Sequence, residues 1–314
     1  MSAALLFLGV AAVLAGPMAR GLSRASWPSR APSLGMAAWL SLQFTTLLSI
    51  VLVGLSLLVG DLPHEWTPIA FFHACADAVQ HHSWQGNTPL AWMGGTLALA
   101  MSARVVGVLL FRGARRRREL GKHHALLRLV GSPTIQSDLV ILDHPMPAAY
   151  CIPGRRGVVV ISEGALGLLS PSQIAQVLAH ERAHLRARHH RVLFLADVLA
   201  SAFFGRFGLA NARMHVAQLA ELHADDAVPA PERPALAEAV VAMASRDHHP
   251  LGALAATGGA TAARVLRLTA GTRPLSGVQR AAARSLVAAT LAMPAVVGFI
   301  PMATRALLDY CFPY

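Results

Sequence analysis

The sequence predicts a mainly α-helical membrane protein, with four transmembrane helices and an α+β domain holding a small sheet between the third and fourth. Three observations lead there. Hydrophobic residues make up 54% of the 314 and charged residues only 14%, where a soluble domain carries about 25% charged residues. The apolar excess is gathered into runs of bilayer-crossing length. The stretch between the last two runs is different, with β-branched segments, turn residues and amphipathic helical patterns.

The first apolar run extends from about Ala3 to Met18, the second from Gly35 to Gly60, the third from Pro89 to Phe111 and the fourth from Ser285 to Ala303. A span needs roughly 20 residues, so the first is short and the second has length to spare for tilt. Arginines follow the first run and none precedes it, the reverse of a cleaved signal peptide, so it reads as a retained anchor. The chain divides into a three-helix membrane region over 1–111 with an external loop at 61–88, a domain over 112–284, and a C-terminal span with a short tail over 285–314.

Charge sets the orientation. Arg20, Arg24 and Arg30 follow the first run, Arg112 and Arg115–Arg118 follow the third, and Arg280 and Arg284 precede the fourth, whereas residues 61–87 carry Asp61, Glu65 and Asp77 without Lys or Arg. The positive-inside rule then places 112–284 in the cytoplasm and both termini outside. The net charge of +11 rests almost wholly on arginine, Lys122 being the only lysine. Its clustering at the ends of apolar runs points to a lipid bilayer as partner and not to direct contact with nucleic acid. Arg104, inside the third run, is expected to snorkel towards the inner headgroups or to face a polar cavity. Cys75, Cys151 and Cys311 have no metal-ligand spacing. Cys75 and Cys311 share the outer face and could bridge there, or remain free.

Within the domain, Asp138–Asp143 and Tyr150–Ile152 read as short strands. Pro153–Gly157 reads as a hairpin turn into the β-branched strand Val158, Val159, Val160, Ile161. Ser170, Pro171 and Gln173 form a complete helix start. Ile174, Val177, Leu178 and Leu185 then give that helix its buried face. It carries His180-Glu181-Arg182-Ala183-His184. Histidines at i and i+4 lie one above the other and can share one Zn²⁺, while Glu181, about 100° round the helix, reaches a metal-bound water. A second helical stretch, Asn211–Ala227, holds Glu221 and Asp225, again at i and i+4. Glu221 supplies a third ligand and leaves a fourth position open, and Asp225 is placed to accept the outer ring N–H of a ligand histidine. The apolar stretch Val192–Leu209 is interrupted by Asp197 and Arg206 and reads as an inner-leaflet helix beside the site. His189, His190 and His223 lie near the site in sequence. His64, His73, His81 and His82 are scattered through the external loop.

Ala149–Gly154, Val158–Ile161, Glu163–Leu166, Val177–His184 and the Glu221–Asp225 element together resemble the gluzincin core of the BlaR/MecR-type membrane peptidases and of the related HtpX-type proteases. The resemblance implies a cytoplasmic zinc metalloendopeptidase with His180, His184 and Glu221 as ligands and Glu181 as general base. It also implies that Val158–Ile161 is the edge strand that takes up an extended substrate peptide. The substrate it implies is a transcriptional repressor or the chain itself, in a signalling pathway. Housekeeping proteolysis of the HtpX kind and a non-enzymatic zinc scaffold are the alternatives. No SxxK motif and no external penicillin-binding domain are present, so direct β-lactam sensing is not expected. Where those sensors have an acid five positions after the second histidine, this chain has His189.

Overall fold

The computed structural model describes residues 2–59, 89–133, 137–154, 157–203, 209, 211–246 and 251–311. Four of its helices are long and apolar enough to cross a membrane, over Ala3–Arg24, Pro32–Leu58, Pro89–Leu127 and Gly277–Phe299. Cys75 and the external-loop histidines lie outside the described residues, as do the side chain of Cys311 and any bridge it makes.

Helix α1 (Ser2–Val13) passes through a π-turn at Leu14–Met18 into α2 (Ala19–Arg24). Pro17 sits in that turn; it has no N–H to donate and its ring crowds the preceding carbonyl, which the wider turn accommodates. The first helical run therefore continues beyond Met18. After the short α3 (Trp27–Arg30), α4 (Pro32–Val59) starts on a proline, whose fixed φ suits a first helical position. Helix α5 (Pro89–Val130) is 42 residues long, about 63 Å, and runs unbroken through the arginines at 112–118. The last helix, α12 (Gly277–Cys311), begins earlier than the apolar run. Its start is a capping box: the Gln279 N–H donates to Ser276 Oγ and the Ser276 N–H to Gln279 Oε1, both at 3.2 Å.

The sheet contains β1 (Gly131–Pro133), β2 (Leu139–Leu142), β3 (Ala149–Ile152) and β4 (Val158–Ser162), in the order β1-β2-β4-β3. Strand β4 pairs parallel with β2 and antiparallel with β3. Val158–Ile161 is therefore central and offers no free edge, a correction to its expected role as substrate strand. Val159, Val160 and Ile161 are fully buried: a strand this apolar on both faces is stable only when covered. The free edge beside the site is β3.

Helices α6 (Glu163–Leu168), α7 (Pro171–Arg186), α8 (His189–Ala202), α9 (Ala212–Asp225), α10 (Arg233–Arg246) and α11 (Leu251–Ala270) complete the domain. The expected capping box at Ser170 and Gln173 is formed. Leu178 packs with Val159 and Ile161, fixing α7 on the sheet, while Val177 joins Leu236 and Leu268 from α10 and α11. Helix α8 has 14 residues, about 21 Å, too short for a bilayer core of about 30 Å.

The membrane helices and the domain share one core. Leu14, Trp39 and Leu42 pack in a single cluster with Ala196, Leu199, Val216 and Leu219 from α8 and α9. Trp39 stacks on His215 with ring centroids 4.6 Å apart, and Gln43 donates to the Ala196 carbonyl at 3.3 Å. Asp197 pairs with Arg112 of α5 and Arg213 of α9. Arg104 donates to the Ser201 carbonyl at 2.7 Å. It thus serves the C-terminal end of α8, where helix carbonyls lack partners.

Helices α4 and α5 meet at two glycines. A Cβ on Gly94 would lie 2.6 Å from the Gly54 carbonyl oxygen and 2.5 Å from Leu57 Cβ, closer than real atoms approach. Gly94→Val should therefore push the two spans apart and lower the stability of the full-length protein in detergent by about 1–3 kcal/mol, the usual range for overpacking. An unchanged melting temperature would show that the spans do not meet there.

Candidate metal centre and active site

Helices α7 and α9 cross so that His180, His184 and Glu221 turn towards one point. The two Nε2 atoms are 3.1 Å apart. Glu221 Oε2 lies 3.5 Å from His180 Nε2, and Oε1 lies 3.4 Å from His184 Nε2. Three acceptors facing one another repel unless a cation or proton lies between them. Bonds of about 2.0–2.1 Å at tetrahedral angles place ligand atoms about 3.3 Å apart, which is the size of this triangle. The two-histidine, one-carboxylate donor set suits zinc and leaves one position open.

Each ligand is held from behind. His180 Nδ1 lies 3.0 Å from Asp225 Oδ1, and Asp225 is fully buried. His184 Nδ1 lies 2.9 Å from His189 Nδ1, and His189 Nε2 lies 3.0 Å from His223 Nδ1. With a metal on His184 Nε2, its Nδ1–H must donate to His189, whose Nε2–H then donates to His223, so one tautomer chain satisfies all three rings. Arg182, inside the motif, ties α7 to the sheet through Asp138, with Nε to Oδ2 at 2.8 Å and Nη2 to Oδ1 at 3.2 Å.

Arg264 of α11 was not singled out by the sequence, and it is central. Its Nη1 lies 2.9 Å from Glu221 Oε2, while Nε and Nη2 grip Asp225 at 2.8 and 2.7 Å. Its Nη2 also stands 3.4 Å from His180 Nε2. Burial alone would lower the guanidinium's pKa, but the bonds to Asp225 outweigh it and hold it above its ordinary value. Burial pushes the Glu181 carboxyl upward, with Glu221 adding to the effect against His180. Beside it the Cys151 thiol is pushed up to about 12, by burial first and then by Glu181, so it stays a thiol and no nucleophile. A cleft of about 680 Å³ opens past His184 and Cys151 between Phe111 and Arg116 of α5 and Leu193 and Phe194 of α8.

Residues 112–247 match the family model described as peptidase family M48. Part of the chain is also similar to a protein named "Protease HtpX homolog" from Campylobacter curvus (strain 525.92), 36% identical across 21% of this chain and 29% of that protein. No solved structure matches. The fold, the ligand triangle and the family match together support a metallopeptidase domain carried on apolar, membrane-type helices. The matched relative is of HtpX type, and neither match speaks to the BlaR/MecR layout.

The metal-free site should titrate distinctively. Burial depresses the basicity of His180, but Asp225 and Glu221 overcome it and raise its pKa to about 9, while burial lowers His184 to about 4. At neutral pH one proton, on His180, must therefore leave before metal binds. Apparent zinc affinity should rise about tenfold per pH unit from pH 7 and level off near pH 9. Isothermal titration in matched buffers checks this; levelling already near pH 6.5, the ordinary imidazole value, would show that the carboxylates do not hold the proton.

Proposed function

We propose that the chain is a membrane-embedded zinc metalloendopeptidase that cuts protein segments close to the membrane surface, with its catalytic domain on the cytoplasmic side. The observation that carries this reading is the 3.1–3.5 Å triangle of His180, His184 and Glu221, with Glu181 on the same helix. Zinc would supply Lewis acidity to the scissile carbonyl and to the attacking water. The other roles fall to the chain itself. Glu181 takes the water's proton and returns it to the leaving amine; its raised pKa favours a base that must also act as an acid. Asp225 and His189 orient the two ligand rings. Arg264 fixes Glu221 and Asp225. An extended substrate segment adds to the free edge of β3, beside Cys151 and the cleft, and not to β4.

The HtpX-type relative favours broad proteolysis of membrane or membrane-proximal proteins. Cleavage of a single repressor, or of the chain itself, is the second reading, supported by the continuous packing of spans α1 and α4 with the catalytic helix α9, a route by which a signal could reach the site.

Glu181→Gln should abolish proteolysis, a loss of at least about 10²-fold, while zinc is retained. His184→Ala and Glu221→Ala should lose the metal as well. Substrates trapped by Glu181→Gln in native membranes separate the readings, since many unrelated membrane proteins support the HtpX kind and one repressor the signalling kind. Metal content that falls in Glu181→Gln, or cleavage that persists, would sink the mechanism. Reporter fusions after Arg118 and after Asp247 should read as cytoplasmic and one at Gln85 as external; any reversal redraws the topology.

A further inference from the structure

We infer a second binding site, for a phosphate group, where α4 and α12 begin. A pocket of about 510 Å³ there is lined by Arg30, Arg233, Arg280 and Arg284, with Ser33 at the start of α4 and Asp226 at the end of α9. Four guanidinium groups line it with one carboxylate, and that carboxylate is already taken: Arg267 binds both Asp226 oxygens at 2.8 Å and Arg233 pairs with it at 3.5 Å. That leaves Arg30, Arg280 and Arg284 without a carboxylate among the described residues. The side chains of Arg280 and Arg284 make no hydrogen bond or ion pair among the described residues. They stand one turn apart on α12, an arrangement that costs a helix a few tenths of a kcal/mol unless an anion lies between them.

The pocket is built as well as charged. Arg30 is clamped by the carbonyls of Arg273 and Pro274 at 3.0 and 3.2 Å and by Gln279 Oε1 at 3.3 Å, so its charge is held at the rim and cannot follow solvent. The first N–H groups of α4 have no carbonyl one turn back and add a positive helix end at Ser33. Planar guanidinium forks from three separate elements (α3, α10 and α12) suit the tetrahedral oxygens of a phosphate. Both candidate spans start here, so two sources share this chemistry: the phosphodiester of an anionic lipid headgroup, or a free phosphate ion. None of its lining residues is a proposed metal ligand or base, although His223, which ends the hydrogen-bonded chain behind His184, also lines the pocket.

The test uses the full-length protein in nanodiscs of phosphatidylcholine, with phosphatidylglycerol added to the bilayer in one arm and inorganic phosphate added to the buffer in the other, at matched ionic strength. Melting temperature and retained lipid in native mass spectrometry are read in each. At least one probe should raise the melting temperature of the wild type. R280Q/R284Q, which changes only exposed side chains, should weaken that binding at least about tenfold. R117Q/R118Q, the same loss of charge on α5, should leave it unchanged. A shift with phosphatidylglycerol alone assigns a lipid headgroup; a shift with inorganic phosphate assigns a free anion. No shift with either probe overturns the site. Equal weakening by R117Q/R118Q also overturns it, because the attraction would then belong to the basic surface at large.

Discussion

A carboxylate without access to water governs the arrangement of the catalytic half. Asp225 is fully buried, and an isolated ionised carboxylate in such a place would cost many kcal/mol or give up its charge. It is met on one side by His180 and on the other by the bidentate Arg264. That requirement brings α11 against α9, although the two are separated in sequence by all of α10. Once α11 is docked, Arg267 reaches Asp226 and, at 3.2 Å, the Ser29 carbonyl in the connection between the first two spans. A single buried charge thus ties the metal ligands, the last helix of the domain and the membrane region together.

The same logic joins the spans to the domain on the apolar side. The first turns of α4 carry Met36, Trp39 and Leu42, whose side chains are covered by α8 and α9. This part of the span is solvated by protein where a lipid-facing helix would meet acyl chains. Helix α5 likewise does not stop at the bilayer surface. It continues past Arg112 and brings Arg116 to the His190 carbonyl at 2.6 Å, so one rigid element runs from the membrane to the wall of the cleft. Helix α4 thus packs on the helix that carries Glu221, and α5 on the helix that lines the cleft.

What was legible in the sequence was local. The helix carrying the metal motif could be read because capping box, periodicity and i, i+4 histidines all lie within 16 residues of one another on one element. The capping box Ser276/Gln279 is equally local, but it lies ahead of the apolar run that begins at Ser285, so hydropathy alone does not mark it. Strand existence was readable from β-branched runs, but strand order was not. That Val158–Ile161 lies inside the sheet follows from a parallel pairing with β2 across an intervening strand, a choice made by packing. Arg264 could not be found by pattern, because an arginine on an amphipathic helix is ordinary until its buried acid is known.

The imidazole of His189 then acquires a physical reason. Behind His180 stands a carboxylate; behind His184 stands a neutral ring, almost fully buried. The inner groups are Glu181, Glu221, Asp225 and Arg264: three carboxylates and one guanidinium. With neutral histidines these leave two negative charges, the charge a divalent metal cancels. A fourth carboxylate at position 189 would leave the loaded site negative in a region shielded from water, where uncompensated charge is costly. Arg264 does not upset this balance, because Asp225 accounts for it. A neutral ring that passes its hydrogen bond on to His223 orients His184 without adding charge. The orientation that an acid would supply is kept, and its electrostatic cost is avoided.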